Sequence, residues 1–362
     1  MDRISEFELF TEGDDLYASM VAAIEGAERA VRMESYIFAA DEVGRSFAAA
    51  LAARARAGAD VRLHLDQYGA DFPAFRGLRR ELEAAGVSFR WYHSLRWRHP
   101  LEYLQRNHRK LLVVEDRVAF LGGFNIRRLN SRALSGETRQ RDTHVRVTGE
   151  LVRAGAASFD AVWDAKTLPP AEAIPDDPSE VQTALLVPSY SKRCEWRLAC
   201  LHAGMIDRSL CHVYVTSPYF GPGSLIERAL RAAARRGVDV RLLLPQTGDP
   251  PAAGWATRAA YEPLLSSGVR IFEYQPRKLH AKSIEIDGEW AVVGSANLDY
   301  LSLFVNHELI LVARERRLAE RLRLQYERDL EDSREVMLPQ WRRRGPGERG
   351  LEMMGRAVRR LL

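Results

Sequence analysis

The sequence predicts an α/β protein built as two tandem copies of one unit, and three observations carry that prediction. Apolar, strand-like runs alternate with alanine-rich helical stretches along both halves. A motif in the first half returns in the second at a constant offset, 280 − 108 = 172 positions. A stretch rich in proline and acid, without periodicity, separates the two.

In chain order, "AVRMESYIF" reads as a strand, residues 42–57 as an alanine-rich helix and "VRLHLDQ" as a strand, followed by a further helix and strand. The second half repeats this with "HVYVTSPYF", "SLIERALRAAARRG" and "VDVRLLLP", the last two paralleling "LAARARAGADVRLHLD". "LPPAEAIPDDPSE" between them reads as a surface linker. After the second motif, "VNHELILVA" reads as a strand and "ERRLAERLRLQYERDLEDS" as an amphipathic helix. The expected organisation is a first domain over 1–167, a linker over 168–182, a second domain over 183–335 and a basic tail over 336–362.

With 362 residues and 46% hydrophobic content, the chain can bury a core in each of two domains. The net charge is only +4, and the cations are nearly all arginine, with five lysines; composition therefore names no partner. Cys194, Cys200 and Cys211 form no disulfide framework and no zinc pattern, which fits a reduced cytosolic setting. No stretch approaches the roughly 18–20 apolar residues that span a bilayer, and the opening "MDRISEFELFTEGDD" lacks a signal-peptide core, so any membrane contact is expected to be peripheral.

The repeated motif carries the chemistry. "NHRKLLVVEDRVAFLGGFN" sets His108, Lys110, Glu115, Gly122 and Asn125 against His280, Lys282, Asp287, Gly294 and Asn297 of "LHAKSIEIDGEWAVVGSANLD". With nine histidines and five lysines, His-x-Lys is expected only about 0.12 times by chance. Histidine serves near neutral pH as nucleophile or as general acid, and two per molecule can divide those roles. A lysine two residues along a strand shares the histidine's face. Two histidines, two lysines and two asparagine amides around one pocket would suit a phosphodiester, holding its non-bridging oxygens and stabilising the transition state without a metal or other cofactor.

These residues resemble the phospholipase D superfamily, over nearly the whole chain. Together with "RDTHVRVTGELV", "SPYFGPG" and "NLDYLSL", the motifs are most similar to bacterial cardiolipin synthases. The resemblance implies two α/β/α sandwich domains related by a pseudo-twofold axis, with one active site at their interface. It implies His108 as the nucleophile that becomes phosphohistidine and His280 as acid and base, with Lys110, Asn125, Lys282 and Asn297 in the site. Gly123 and Ser295 are expected at the substrate phosphate. Glu115 and Asp287 are expected to be structural, and Asp142 and Glu308, each about one strand past its motif's asparagine, to orient the histidines. The implied reaction moves a phosphatidyl group from phosphatidylglycerol to an alcohol, classically a second phosphatidylglycerol.

Hydrolysis by a phospholipase D or nuclease of the same fold is the alternative, and a non-catalytic lipid or polyphosphate scaffold is the alternative of another class. A nuclease would need a basic, aromatic track, and "RWYHSLRWRHPLEYLQR" offers one. Its Trp91, Trp97 and Tyr103 equally suit a lipid interface, and nucleic acid is not the expected partner. His64, His93, His99, His144, His202, His212 and His307 lack the repeat and are read as strand or surface residues.

The tail "WRRRGPGERGLEMMGRAVRRLL" holds seven arginines against two glutamates, 7 − 2 = +5. Leu351, Met354, Val358 and Leu361 make one helical stripe. Such a helix either lies on the inner face of an anionic membrane, its phosphatidylglycerol substrate included, or packs on the protein's own core.

Overall fold

A computed structural model describes residues 5–70, 72–92, 105–164, 181, 183–189, 197–248 and 250–358. The expected linker 168–182 lies, apart from Val181, outside the described residues. The chain divides into two compact units, Met1–Ala173 with Val293–Ser295 and Asn306–Leu311, and Ile174–Val292 with Ala296–Val305 and Val312–Leu362. Two short segments of the second repeat thus cluster with the first unit.

The first repeat contains β1 (Glu6–Phe10), α1 (Gly13–Glu25), β2 (Ala30–Ser35), α2 (Glu42–Arg56), β3 (Asp60–Asp66), α3 (Phe72–Ala84), β4 (Ser88–Tyr92), β5 (Leu111–Val114), β6 (Val118–Gly122), α4 (Arg132–Ser135), β7 (His144–Thr148) and α5 (Leu151–Trp163). Its sheet runs β1-β7-β6-β5-β2-β3-β4. The βαβ crossovers make β2, β3 and β4 parallel, whereas β5 runs antiparallel to β2 and, through a tight hairpin, to β6. Strands covered on both faces are apolar at every position, as in "LLVV" of β5. α1, α2 and α3 pack side by side, while α5 covers β2, β5, β6 and β7.

The second repeat contains β8 (Ala184–Ser189), α6 (Arg197–Asp207), β9 (His212–Thr216), α7 (Ser224–Arg235), β10 (Asp239–Pro245), α8 (Pro251–Arg258), α9 (Tyr261–Leu265), β11 (Arg270–Tyr274), β12 (Ser283–Ile286), β13 (Trp290–Gly294), α10 (Tyr300–Phe304), β14 (Glu308–Arg314), α11 (Arg316–Glu331), β15 (Ser333–Glu335), α12 (Leu338–Arg342) and α13 (Pro346–Val358). Its sheet runs β15-β11-β10-β9-β12-β13-β14-β8. From β4 to β1 and from β11 to β8 the strands correspond one to one, so the sheet order is itself duplicated.

Matching turns close both motif hairpins. Glu115 and Asp287 stand in the left-handed region, each with φ 56°. The Glu115 carboxylate accepts the backbone N–H groups of Glu28, Arg29 and Ala30 at 2.9, 2.6 and 3.0 Å. That of Asp287 accepts those of Leu210, Cys211 and His212, each at 2.8 Å. Each acid ties the hairpin tip to the start of the neighbouring strand.

The tail forms α13, which packs on α8: a side chain at buried Gly355 would meet the backbone of Trp255 and Ala256. Arg344 pairs with Glu352 across the α12–α13 turn. Leu351, Met353 and Met354 stay 38, 71 and 58% exposed. The helix thus packs on the protein through Gly355, while Leu351 and Met354 of the predicted stripe face solvent; the side chains of Val358 and Leu361 lie outside the described residues.

Candidate active site

His108 sits just before β5 and is fixed from several directions within the first unit. Its N–H donates to the His307 carbonyl at 2.9 Å, and the His307 N–H to the Arg106 carbonyl at 2.8 Å. Its Nδ1 lies 3.1 and 3.2 Å from the two carboxylate oxygens of Glu308, whose side chain is wholly buried. A carboxylate accepts, so the proton sits on Nδ1 and the lone pair on Nε2. Lys110 donates from Nζ to the His108 carbonyl at 2.7 Å.

Tyr36 follows β2 and meets the His108 ring edge-on, centroids 4.9 Å apart, with Lys110 Nζ 5.6 Å from its own ring centre. Sequence reasoning passed over Tyr36 and set His307 aside. An aromatic directly after a strand ending in Glu-Ser was the available signal for the first. Nothing local marks the second, because it acts through its backbone.

Ser295 and Glu308 form a pair. The Ser295 hydroxyl donates to the Glu308 carboxylate and accepts the Leu309 N–H at 2.9 Å. Gly123 is its counterpart, since Gly123 N–H bonds the Thr143 carbonyl at 2.8 Å as Ser295 N–H bonds that of Leu309 at 3.0 Å. The same register makes Asp142 the counterpart of Glu308. A Cβ on Gly123 would lie 2.0 Å from Asp142 Oδ1, so glycine makes room for that buried carboxylate. Both residues, expected at the substrate phosphate, are buried: Ser295 holds Glu308, and Gly123 leaves the space that Asp142 fills.

In the second unit, His280 is half-buried before β12, and Lys282 places Nζ 3.0 Å from His280 Nδ1 while donating to the His280 carbonyl. Asn297 donates from Nδ2 to Ser302 Oγ at 3.2 Å. Asn125 is fixed differently: its Oδ1 accepts the Ile37 N–H at 3.1 Å, and its carbonyl accepts from Tyr17 and from Asn130 Nδ2. All four motif lysines and asparagines are buried.

Other residues singled out from sequence fall elsewhere. Trp91, half-buried, packs on Phe75 and Phe89 at the edge of the first core, ring centroids 5.8 and 4.7 Å away. Trp97, Tyr103, His93 and His99 lie outside the described residues. Burial holds His64 and His144 down to about 3 and His202 down to about 4. His212 is raised instead, by its 2.8 Å bond to buried Glu285.

The family model "Cardiolipin synthase, PLD-like domain" matches residues 20–163 and again 203–330, once per repeat. "Cardiolipin synthase 1" of Staphylococcus aureus strain COL is 32% identical over 345 residues, 90% of this chain and 68% of that one. "Cardiolipin synthase" of Clostridium perfringens strain 13 is 29% identical over 99% of this chain and 76% of its own, and that of Geobacillus kaustophilus 34% over 84% and 62%. Among solved structures, phosphatidylserine synthase of Haemophilus influenzae matches 98% of this chain and 95% of its own with a TM-score of 0.71 at 12% identity, a likeness of fold. Two family-model matches and relatives above 30% identity coincide with the two His-Lys-Asn sets, and on that basis the chain belongs to the cardiolipin synthase family of phospholipase D-like enzymes.

Proposed function

We propose that this enzyme transfers a phosphatidyl group from phosphatidylglycerol to an alcohol acceptor, classically a second phosphatidylglycerol, through a phosphohistidine. The observation that carries the proposal is the His108–Glu308 pair, 3.1 Å apart, because it leaves Nε2 as the basic nitrogen of a histidine beside a buried lysine. His108 Nε2 attacks phosphorus and the P–O bond to the glycerol headgroup breaks. His280 gives a proton to the departing glycerol oxygen. It then takes the proton of the acceptor hydroxyl, whose oxygen attacks phosphorus and releases His108. With a second phosphatidylglycerol the products are cardiolipin and glycerol.

This mechanism needs both motifs to act on one phosphate. Asp142, the counterpart of Glu308, then orients His280 as Glu308 orients His108. Lys110, Lys282 and the amides of Asn125 and Asn297 hold the phosphate oxygens and stabilise the charge that develops on them.

No helix among the described residues is long and apolar enough to cross a membrane. Exposed Leu351, Met353 and Met354 on a tail of local charge +5 support peripheral contact with the inner, anionic face of the cell membrane. The test is incubation of the purified protein with phosphatidylglycerol vesicles and identification of the lipid products by mass spectrometry. Cardiolipin and glycerol are the expected products; phosphatidic acid alone would establish hydrolysis.

A further inference from the structure

The residues on either side of His108 are anchored by buried carboxylates. Glu34, on β2, forms an ion pair with Arg109 at 2.8 Å with neither side chain exposed. It also accepts from Asn107 Nδ2 at 3.3 Å. Asp66, on β3 and fully buried, accepts the Asn107 N–H at 3.0 Å and the Tyr68 and Gly69 N–H groups at 2.9 and 3.3 Å. Arg109 reaches on to Ser158 Oγ at 2.9 Å. Burial raises the Glu34 carboxyl, against which Arg109 and Asn107 pull.

The second repeat solves the same problem without charge. Strand register pairs Glu34 with Leu111 and Thr216 with Ser283, which makes Thr216 the counterpart of Glu34. By the same registers Asp66 corresponds to Pro245. Asn107 and Arg109, at the motif offset, correspond to Leu279 and Ala281, both in an apolar cluster with Leu243 and Tyr274. One chain therefore builds one sheet twice, and the ionised version is not a requirement of the fold. Burying an ion pair is costly, and an apolar replacement of like volume is often as stable.

We propose that Glu34, Asp66, Asn107 and Arg109 form a clamp that holds His108 in line with phosphorus, with Glu34 as a positioning residue for the nucleophile. The inference rests on the proposed role of His108. It follows from a difference between the two histidine tasks. Bond formation to phosphorus demands placement within a fraction of an ångström, whereas proton transfer needs hydrogen-bond reach only. The clamp stands where the stricter demand falls.

The test gives the first repeat the second repeat's residues, as the triple variant Glu34→Thr, Asn107→Leu and Arg109→Ala, which leaves no unpaired buried charge. It is read by thermal midpoint, by kcat and KM on phosphatidylglycerol vesicles, and by the downfield Nδ1 proton resonance of the His108–Glu308 bond, assigned through its loss in His108→Ala. The expected result is a folded protein with kcat down about 10- to 100-fold, KM unchanged and the resonance broadened. Unchanged kcat with a sharp resonance would overturn the clamp. Should the triple variant not fold, Glu34→Gln is read in the same way, and failure of both to fold would show a purely structural network and also overturn it. An inactive wild type refutes the proposed reaction instead, while the resonance still reports on the clamp.

Discussion

The proposed attack of His108 on phosphorus needs the lone pair on Nε2, and the bond of Nδ1 to Glu308, itself held by Ser295, favours that tautomer. Glu308→Gln offers an amide in place of the acceptor, disturbs the tautomer, and is expected to lower kcat about 10³- to 10⁴-fold with folding intact. Ser295→Ala removes the hydroxyl that holds Glu308 and accepts the Leu309 N–H, and about 10- to 100-fold is expected. Glu115→Gln, at a turn remote from the histidines, is expected to cost a few-fold at most. Steady-state kinetics on the three variants checks the order, and an inverted order would place the orienting acid elsewhere. The His-Lys pairs were legible because a rare pattern recurs at one offset. The partner of Glu308 was not: sequence placed this acid one strand after its own motif, whereas in space it meets a histidine 200 positions earlier. The bond from Ser295 to Glu308 was not legible either, because a small hydroxyl beside a glycine suits a phosphate as well as a carboxylate. Glu34 and Asp66 carried an unused signal, charge inside strands whose second copies are uncharged.

At the scale of elements, the hairpin tips carry a pH dependence. Burial would raise the Glu115 carboxyl, but Arg29 and three backbone N–H donors outweigh it and hold it down to about 2, against an ordinary 4.5. A depressed carboxylate stabilises the fold above its unfolded value and loses that contribution as pH falls through the folded one. The thermal midpoint of Glu115→Gln should therefore lie below that of the wild type at pH 7, with the gap closing between pH 4.5 and about 2. A gap independent of pH would remove the carboxylate's charge from the explanation. α13 supplies a second prediction. Replacing Leu351, Met353 and Met354 with serine leaves the Gly355 contact intact and should weaken sedimentation with anionic vesicles while sparing activity on detergent-dispersed lipid. Unchanged sedimentation would place membrane contact elsewhere. Periodicity revealed this helix but not its packed side, since a glycine contact contributes nothing to an apolar stripe.

For the whole molecule, duplication was legible because both hydrophobic alternation and motif spacing repeat, and sheet order follows from βαβ crossovers and a tight hairpin. The way the compact units share the chain was not, because Val293–Ser295 and Asn306–Leu311 of the second repeat join the first unit. If both motifs of one chain serve one reaction, mixing inactive His108→Ala with inactive His280→Ala should restore no turnover. Recovery would mean that two chains assemble each site. In the proposed reaction Lys110 and Lys282 supply the positive charge at phosphorus, so turnover should also survive a strong chelator; loss reversed by a divalent ion would contradict that assignment.

The placement of Asn306–Leu311 in the first unit has a consequence for biosynthesis. At roughly 5–20 residues per second, a ribosome that has just made His108 needs about 10–40 s more to reach Glu308, 200 residues later. Until then the nascent first unit lacks the strand segment that completes it and the carboxylate that sets its imidazole. On the proposed mechanism, nascent chains and fragments ending before Glu308 carry a histidine not yet set for attack, and reactivity toward phosphodiesters is expected only once translation has passed through both repeats.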